Sequence, residues 1–492
     1  MSSDDLLQQR TARGAFWATI EVWGVEILQF LVFAVLARVL GPGAYGIVGL
    51  AILPVLVVNV FVMQGGWIEF IVRNRGRVVE QVNTVFWVVV VLGLLLAAAV
   101  VASAPLMARA FETPELVVLV PWLAICPALM SLSVVPAALL QREINLAPFA
   151  IRSTLSVAVA GSIGIWLALS GYGVWSLIVY EITIPLVGAT VLWTAVNWRP
   201  HARVSIKHVS EAIRFSSSVL GERVIALTET LGPRAAIGAT HGAIAVGHWT
   251  LARKIFDLSA DLMQRPALRV ALPRFASAQQ RPDQLTTLLT SAVELTALLA
   301  IPSYAILGVL GDDLVALLFG EAWRTAGQVL MILAALGLIT PATQLSTVML
   351  HAVGRAKLSL KLAVAGFICL VLLVIASTRW GVFGVALAFL VRGWIMLLVR
   401  LWAIRLTTHV RLRNLRAGIG PMLTAGVAMA LTLFLFSAMF SARLGELQSL
   451  AIAVVPGTVV YGAVLWVLAK GQLLAAMTFV RAALETDTRG AL

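Results

Sequence analysis

Long apolar segments recur from one end of the chain to the other, and short polar segments separate them. Most apolar segments have about 20 residues, enough for an α-helix to cross a hydrocarbon core of about 30 Å. They are continuously apolar, as in residues 85–102 and 362–377, whereas the strands of a membrane barrel alternate polar and apolar residues. Because the core of a bilayer offers the backbone no hydrogen-bonding partners, these segments predict membrane-spanning helices.

The polar breaks divide the chain into about fourteen predicted helices, which we number in chain order. Their approximate limits are 14–39, 45–72, 83–108, 115–140, 148–170, 173–196, 215–239, 245–273, 285–310, 325–350, 357–378, 381–404, 418–441 and 447–469. The pattern therefore predicts an all-α integral membrane protein.

The composition agrees with this interpretation. Of the 492 residues, 60% are hydrophobic and 12% are charged, which is about half the charge of an ordinary soluble domain. The net charge of +13 could indicate a nucleic-acid partner. However, the basic residues gather in alternate loops, such as 73–77, 199–214 and 405–416, as in the cytoplasmic loops of membrane proteins. We therefore expect an inner-membrane protein with both termini in the cytoplasm, and no nucleic-acid partner.

One part of the chain resembles another. Residues 45–73 align with residues 246–274 at an offset of 201, so that Gly46 meets Gly247. The order of loop types also matches between predicted helices 1–6 and 7–12. We therefore predict two lobes of six helices in the same orientation, followed by two extra helices. Parallel repeats of this kind place a substrate cavity between the halves.

The loops set the predicted limits of these regions. They are 1–196 for the N-terminal lobe, 197–214 for a basic cytoplasmic linker, 215–405 for the C-terminal lobe, 406–470 for predicted helices 13 and 14, and 471–492 for a cytoplasmic tail. Since the longest connection is the linker, this division leaves no room for a soluble domain.

Several ionisable residues lie inside the predicted helices, where each costs at least about 2.5–3.5 kcal/mol at a lipid-exposed centre. We therefore expect them to face a cavity or a partner. Predicted helix 8 carries a stripe of them at intervals of four residues, which keeps them on one broad face. The stripe consists of Arg253, Asp257, Asp261, Arg265 and Arg269.

Two interpretations of these charges stay open. In the first, Arg253 with Asp257 and Asp261 with Arg265 form i,i+4 pairs that only neutralise each other. In the second, they line a cavity for an anionic ligand, because predicted helices 7 and 8 hold six basic and four acidic residues and arginine forks suit phosphate. The candidate ligand-binding residues are Arg152, Arg223, Arg234, Arg253, Lys254, Arg265 and Arg269. The candidates for binding a coupling cation are Glu26, Glu222, Glu229, Asp257 and Asp261.

No sequence motif indicates catalysis or metal binding. Cys126 and Cys369 lie within predicted helices, and the histidines lack acidic or cysteine companions at ligand spacing. The glycine-rich segment 41–46 is not followed by the Lys-Ser/Thr of a phosphate-binding loop, so we expect a tight turn there. We expect no enzymatic activity, no metal and no cofactor.

Residues 37–46, Ala-Arg-Val-Leu-Gly-Pro-Gly-Ala-Tyr-Gly, resemble the R-x-L-G-P-x-x-Y-G turn that follows the first helix of the polysaccharide transporters. These transporters belong to the multidrug/oligosaccharidyl-lipid/polysaccharide (MOP) exporter superfamily. Residues 139–143, 171–177 and 251–254 are similar to its colanic-acid and O-antigen exporter branch. The resemblance covers essentially the whole chain, and it implies the V-shaped fold of the superfamily with fourteen helices in two lobes.

The resemblance implies a flippase that moves an undecaprenyl-diphosphate-linked oligosaccharide from the cytoplasmic to the periplasmic leaflet by alternating access. A proton or sodium gradient would supply the energy. The expected partners are the lipid-linked glycan, membrane lipids, and the polysaccharide polymerase and export machinery. The diphosphate would bind Arg152 and the basic residues of predicted helices 7 and 8. Related peptidoglycan-precursor flippases carry arginines in the first helix, where this chain has Glu21 and Glu26, which argues against that substrate.

Three other functions are weighed against this one. A cation-coupled multidrug exporter of the same superfamily is the alternative, but it would usually have twelve helices and an acidic cavity, unlike the basic surplus here. A membrane glycan polymerase would be an enzyme with a large extracytoplasmic loop, which the pattern of segments does not provide. A non-transporting scaffold would not need ionisable residues in so many helices.

Overall fold

The protein is described by a computed structural model over residues 3–73, 79–145, 147–202, 204–279, 281–408, 412–440 and 446–471. Within these ranges the regular structure is helical, with no β-strand. The α-helices are α1 (Ser3–Ala51), α2 (Leu53–Val62), α3 (Trp67–Arg73), α4 (Val79–Ala110), α5 (Leu116–Leu123), α6 (Ile125–Arg142), α7 (Ala147–Leu169), α8 (Val174–Thr194), α9 (Ile206–Ser277), α10 (Pro282–Phe319), α11 (Arg324–Gly337), α12 (Thr340–Ala352), α13 (Ala356–Ser377), α14 (Gly381–Thr408), α15 (Leu412–Phe440) and α16 (Glu446–Leu468). Short 3-10 turns at Glu321–Trp323 and Thr378–Trp380 precede α11 and α14.

Ten helical runs in the described ranges are long and apolar enough to cross a membrane, or eleven if the bent pair of α11 and α12 counts as one span. The chain is therefore a multi-pass membrane protein, as the apolar pattern predicts. The predicted number of fourteen spans is not confirmed. The numbers differ because α13 and α14 count as one run, Lys357–Thr407, and because α9 carries too many polar and charged residues to qualify.

The outer faces of many helices expose large apolar side chains. Leu95 on α4 is 65% exposed, Val427 on α15 is 61% exposed and Val467 on α16 is 80% exposed. In water, contiguous apolar surface of this kind would drive association or aggregation. Lipid tails can surround such apolar faces without cost, as expected for helices that span a membrane.

The chain divides into two compact units, Met1–Thr250 and Leu251–Leu492, and the division falls inside α9. In the first unit, α7 packs against α1 and α8, and α4 packs against α6. In the second unit, α10 packs against α11 and α15, and α15 packs against α16. The predicted limits of the lobes and of the linker stay a prediction.

The last two helices, which correspond to predicted helices 13 and 14, are anchored on α10. Buried residues of the three helices, including Ile301, Met429 and Leu465, form one apolar cluster. The Tyr461 hydroxyl of α16 donates a hydrogen bond to the carbonyl oxygen of Leu298 at 3.1 Å. In a bilayer, where apolar surface gains little by leaving lipid, such close packing and hydrogen bonding hold helices together.

Two long helices, α1 and α9, are each broken by one glycine. Gly41 has φ 73° and ψ 175°, and Gly242 has φ 75° and ψ −178°. Only glycine adopts this region of positive φ without strain. The two breaks are 201 residues apart, which is the offset of the sequence repeat, and they separate predicted helices 1 and 2 and predicted helices 7 and 8. The backbone therefore supports the repeat, and the glycine-rich segment 41–46 is the expected turn rather than a phosphate-binding loop.

The helix starts that follow the two breaks pack against each other within the first unit. A Cβ atom on Gly46 would lie 1.7 Å from the carbonyl oxygen of Ala243, and a Cβ atom on Gly247 would lie 2.1 Å from the carbonyl oxygen of Pro42. Pro42 and Ala243 are themselves equivalent at the offset of 201. The two contacts are therefore the same contact made twice, and only a residue without a side chain fits at either position.

The segment before α9 is bound to the beginning of α4. Asn83 Oδ1 accepts a hydrogen bond from the backbone N–H of His201 at 3.3 Å, and Thr84 Oγ1 accepts one from Ser205 at 3.0 Å. The indole N–H of Trp87 donates to the His201 carbonyl oxygen at 3.0 Å. Part of the predicted basic linker is therefore fixed on the first unit by side-chain hydrogen bonds.

Candidate functional site

The charged stripe of α9 begins with an ion pair. The Arg253 Nε donates to both carboxylate oxygens of Asp257, each at 2.9 Å. The side chains are 32% and 47% exposed, respectively, so the pair lies at an accessible surface of the second unit. This geometry is the i,i+4 pairing of the first interpretation, since residues one turn apart on a helix are neighbours.

Aromatic rings surround the guanidinium of Arg253. Its central carbon lies 5.5 Å from the ring centroid of Phe256 and 5.5 Å from that of Phe389 on α14. Both phenylalanines are buried. Cation–π attraction of this kind is strongest where water is excluded, so the two rings help to hold the guanidinium in place beside Asp257.

Tyr304 on α10 completes this group of residues. Its ring packs against Phe256 with centroids 5.5 Å apart, and Gly337 on α11 leaves room for it, since a Cβ there would lie 2.3 Å from the ring. The side chain is 1% exposed, and its hydroxyl has no hydrogen-bond partner among the described residues. Asp257, Arg253 and Asp261 are the charges that act on this hydroxyl.

The structure places the other candidates of α9 as follows. Lys254 and Asp261 are half-buried. Arg265 and Arg269 lie within α9, but their side chains are outside the described part. The structure thus brings six residues of the second unit together. We call them the Arg253 site: Arg253, Phe256, Asp257, Asp261, Tyr304 and Phe389.

The remaining candidates belong to the first unit. Glu26, Arg152, Glu229 and Arg234 are half-buried and Arg223 is exposed, whereas the side chain of Glu222 is outside the described part. Arg152 on α7 lies over the ring of Phe149 at 5.6 Å, and its stem passes Gly188 of α8. The assignment of these six candidates of the first unit to an anionic ligand or a coupling cation stays a prediction.

Two other arginines inside helices have carbonyl partners. Arg392 on α14 donates through Nε to the carbonyl oxygen of Gly366 at 3.2 Å. Arg400 on the same helix donates to the carbonyl oxygen of Thr343 at 2.8 Å and to the hydroxyl of Thr347. Because oxygen atoms of the neighbouring helices α12 and α13 accept these hydrogen bonds, we interpret both arginines as helix-packing residues.

A cluster of charged residues lies between α10 and α11, with Asp312, Asp313 and Arg324 half-buried and Glu321 exposed. Arg324 pairs with Asp313 at 3.0 Å, with Glu321 at 2.9 Å and with Asp312 at 3.7 Å. Over the described ranges no group of His, Cys, Asp and Glu side chains is arranged to hold a metal ion. The expectation that no metal and no cofactor is needed stays a prediction.

Sequence reasoning did not single out Tyr304 and Phe389. Each is one aromatic residue in an otherwise apolar segment, and nothing in its neighbours marks it. The only available signal for Tyr304 was its hydroxyl, which is costly to bury without a partner. The chain has five tyrosines, so each of them could have been considered as a candidate site residue.

A family profile described as "Polysaccharide biosynthesis protein" matches residues 35–328, more than half of the chain. The chain belongs to this family. The match begins in α1 and ends in α11, so it includes both glycine breaks and the Arg253–Asp257 pair. It confirms the resemblance to polysaccharide transporters on which the sequence prediction rests.

Several relatives of this polysaccharide biosynthesis protein have names that describe their roles. Succinoglycan biosynthesis transport protein ExoT from Rhizobium meliloti is 26% identical over 332 residues, which are 67% of each chain. Lipopolysaccharide biosynthesis protein WzxC from Escherichia coli is 23% identical over 78% of each chain. Teichuronic acid biosynthesis protein TuaB from Bacillus subtilis is 24% identical over 70% of this chain and 72% of its own.

Solved structures share the fold. The lipid II flippase MurJ in an inward closed conformation covers 92% of this chain and 99% of its own, with a TM-score of 0.77 and 16% identity. An inward-facing multidrug resistance transporter of the MATE family and MOP superfamily covers 77% and 94%, with a TM-score of 0.58 and 16% identity. At such low identity these likenesses show the fold alone, an all-α fold shared with MurJ and with a MOP-superfamily transporter, as predicted, and they show nothing about substrates.

Proposed function

We propose that this polysaccharide biosynthesis protein is a flippase. It moves undecaprenyl-diphosphate-linked oligosaccharide repeat units from the cytoplasmic to the periplasmic leaflet, for the synthesis of exopolysaccharide, capsule or O-antigen. The observation that carries the proposal is the family match over residues 35–328. The relatives' names support it, because succinoglycan, lipopolysaccharide and teichuronic acid are polymers found outside the cytoplasmic membrane and one relative is called a transport protein.

The chemistry of the Arg253 site supports a diphosphate as the part of the substrate that the protein grips. A guanidinium offers five N–H donors in a planar fork that suits phosphate oxygens. Arg253 is partly exposed, so an anion from outside the second unit can reach it. The further residues proposed to bind the diphosphate and sugars are Arg152, Arg223, Arg234, Lys254, Arg265 and Arg269.

The energy source is part of the proposal. No nucleotide-binding motif follows the glycine-rich turn at residues 41–46, so a proton or sodium gradient is the proposed driving force for alternating access. Glu26, Glu222, Glu229, Asp257 and Asp261 are the proposed sites of the coupling cation. The proposed location is the inner membrane with both termini in the cytoplasm, an orientation that the excess of basic residues in alternate loops supports.

A multidrug exporter is the competing function, and the fold alone does not distinguish the two. Its substrates are commonly cationic, and Arg253 at an accessible surface would repel a cation that approached Asp257. The family match and the names of the relatives also favour glycan transport.

Deletion of the gene in its own bacterium tests the proposal. Lipid-linked repeat units are expected to accumulate in the cytoplasmic leaflet, where a membrane-impermeant oxidant of sugars reaches them in inside-out vesicles but not in intact spheroplasts. Re-expression of the wild-type protein should remove the accumulation, and re-expression of the Arg253→Ala variant should not. Normal glycan export combined with hypersensitivity to cationic drugs would contradict a flippase and favour the exporter.

A further inference from the structure

The first turns of α9 have two different faces. His208, Ala212 and Ser216, at intervals of four residues, are buried. On the opposite face Ile206 is 87% exposed and Ile213 is 50% exposed. Residues seven apart lie almost above one another on a helix, because seven residues make nearly two turns. The two isoleucines therefore form an apolar edge that the described part of the chain leaves largely open.

A basic edge runs parallel to the apolar edge. Lys207 and Arg214 are also seven residues apart, and both are exposed. Each follows one of the isoleucines in the chain, so the basic edge is rotated by about 100° from the apolar one. Ser210 lies between the two edges, and Glu211, the acid of these turns, lies beyond the basic edge; both are exposed. A helix with an apolar and a basic edge side by side suits the boundary between acyl chains and anionic headgroups.

Contacts on both sides hold these turns at one end of the first unit. Ser205, directly before α9, donates its backbone N–H to Thr84 Oγ1 near the beginning of α4. Phe215 packs against Phe70 of α3 with ring centroids 5.7 Å apart, and the Arg73 guanidinium lies 5.9 Å from the centroid of the Phe215 ring. Arg73 is the last residue of its apolar span. The first turns of α9 therefore lie at the level where the spans of α3 and α4 leave the hydrocarbon core.

Tryptophan residues mark the same level. Trp87 on α4 donates its indole N–H to the His201 carbonyl oxygen at 3.0 Å. Trp193 and Trp198 pack against Phe86 with ring centroids 6.0 and 5.4 Å apart. Tryptophan is enriched where membrane meets water, since its ring is apolar and its N–H is polar. The segment that leads into α9 thus passes through an aromatic cluster of the kind found at the membrane interface.

We propose that the outer face of α9 from Ile206 to Arg214 binds the headgroups of anionic phospholipids in the surrounding bilayer. Ile206 and Ile213 enter the acyl region, where exposed apolar surface is not costly, and Lys207 and Arg214 bind headgroup phosphates. A zwitterionic headgroup brings its own ammonium group, which competes with these two side chains, so a headgroup with net negative charge is favoured. The proposal concerns the lipid around the protein and does not rest on the identity of the transported substrate.

Fluorescence quenching by brominated lipids measures which lipid contacts this face. The full-length protein carries a fluorophore on Ser210→Cys, with Cys126→Ala and Cys369→Ala, in bilayers of equal amounts of phosphatidylglycerol and phosphatidylcholine. Either one lipid or the other is brominated on its acyl chains, and the two degrees of quenching give the enrichment of phosphatidylglycerol at the label. We expect an enrichment of about threefold to thirtyfold at low salt, because two basic side chains attract the anionic lipid.

Two pairs of substitutions test which residues cause the enrichment. Lys207→Gln with Arg214→Gln should lower it to about one, which means no preference. The matched control, Arg274→Gln with Arg281→Gln, removes two exposed basic residues at the end of α9 and before α10 and should keep the original enrichment. Equal enrichment in the two pairs, or no enrichment before any substitution, would overturn the proposal.

A second measurement needs neither pair, in case the variants do not fold. High salt should bring the enrichment toward one, because salt screens the attraction between charges. Quenching by the two lipids together should stay high, since Ile206 and Ile213 remain in the acyl region. Weak quenching by both lipids at any salt concentration would place this face in water and contradict the proposal. Displacement of brominated phosphatidylglycerol by one equivalent of a lipid-linked diphosphate would also contradict it, because the face would then be a site for the transported substrate.

Discussion

Gly46 and Gly247 each lie against the backbone of the other's helix start. Gly46 faces the carbonyl oxygen of Ala243, and Gly247 faces that of Pro42. The breaks at Gly41 and Gly242 precede these contacts with nearly the same dihedral angles. The two helix starts can approach this closely only because neither glycine carries a side chain.

Alanine at either glycine is expected to destabilise the protein. A methyl group at Gly46 or Gly247 would overlap a backbone oxygen, and overpacking of this kind typically costs about 1–3 kcal/mol. Thermal unfolding of the purified Gly46→Ala and Gly247→Ala proteins measures the effect. Gly43→Ala is the control, because its Cβ would have its nearest neighbour, Ile244 Cγ1, at 4.0 Å. Equal stability of all three variants would contradict the contact.

Removal of Arg253 is expected to abolish transport of lipid-linked glycan. Charge-assisted hydrogen bonds contribute about 1.5–3 kcal/mol, which corresponds to roughly a tenfold to hundredfold loss of substrate affinity. Arg253→Lys should also be impaired, because an ammonium group cannot form the forked contact. Arg265→Ala and Arg269→Ala should have the same effect as Arg253→Ala.

Transport is measured by the polymer that appears at the cell surface, normalised to protein in the membrane. Arg281→Ala, at an exposed position before α10, should export normally and serves as the control. Full export by Arg253→Ala, Arg265→Ala and Arg269→Ala would contradict the assignment of a diphosphate to these residues.

Replacement of Arg400 is expected to affect stability rather than transport. The Arg400→Leu variant loses the hydrogen bonds to the Thr343 carbonyl oxygen and the Thr347 hydroxyl. The expected decrease in the free energy of unfolding is about 1–3 kcal/mol. A fluorescence-based unfolding assay on the purified protein measures the stability. Export, normalised to the amount of folded protein in the membrane, should stay at the wild-type level. Normal stability with lost export would show that Arg400 acts on the substrate instead.

Tyr304→Phe is expected to separate stability from activity. The variant loses a buried hydroxyl that has no partner among the described residues, so its thermal stability should be equal to that of the wild type or higher. Export should nevertheless decrease, because the variant removes from the Arg253 site the hydroxyl on which the charges of Asp257, Arg253 and Asp261 act.

Tyr461→Phe provides the opposite case to Tyr304→Phe. It removes the hydrogen bond to the Leu298 carbonyl oxygen, so it should lower stability by about 0.5–1.5 kcal/mol and leave export per folded molecule unchanged. If both variants behave alike in both assays, the predicted role of the Tyr304 hydroxyl in export is wrong.

Loss of the α4 acceptors is expected to loosen the segment before α9. Asn83→Ala and Thr84→Val remove the partners of the His201 and Ser205 amides, and each bond contributes about 0.5–1.5 kcal/mol. Hydrogen–deuterium exchange at the His201 amide should become faster in Asn83→Ala, and exchange at the Ser205 amide should become faster in Thr84→Val. Thr194→Val is the control, since its hydroxyl donates to the Val191 carbonyl oxygen within α8, away from the segment before α9. Unchanged exchange in all three would contradict the docking of this segment.

The features that could be predicted from the sequence are those set by nearby residues. Membrane-spanning helices follow from the run of apolar residues in each segment. The Arg253–Asp257 pair follows from helical spacing, because residues four apart lie on the same face. The turn at Gly41 follows from glycine and proline in sequence. In each case the relevant partners are within one or two helical turns.

The features that could not be predicted depend on partners far away in the chain. The ring of Tyr304 on α10 packs against the ring of Phe256 on α9. The His201 amide donates a hydrogen bond to Asn83, which lies more than one hundred residues earlier in the chain. No periodicity within a segment encodes such contacts, since they depend on how whole helices pack. The repeat predicted that Gly46 and Gly247 are equivalent. It did not predict that each glycine packs against the backbone a few residues before the other.

The reciprocal contact of Gly46 and Gly247 has the geometry of a symmetric interface. A surface that meets its own copy is what a two-fold symmetric homodimer presents to its partner. In a homodimer one substitution would alter both contacts at once. Here the two copies are parts of one chain, so a substitution at Gly46 alters one contact directly and leaves the residues of its equivalent at Gly247 unchanged. The packing can therefore become asymmetric at this point one contact at a time.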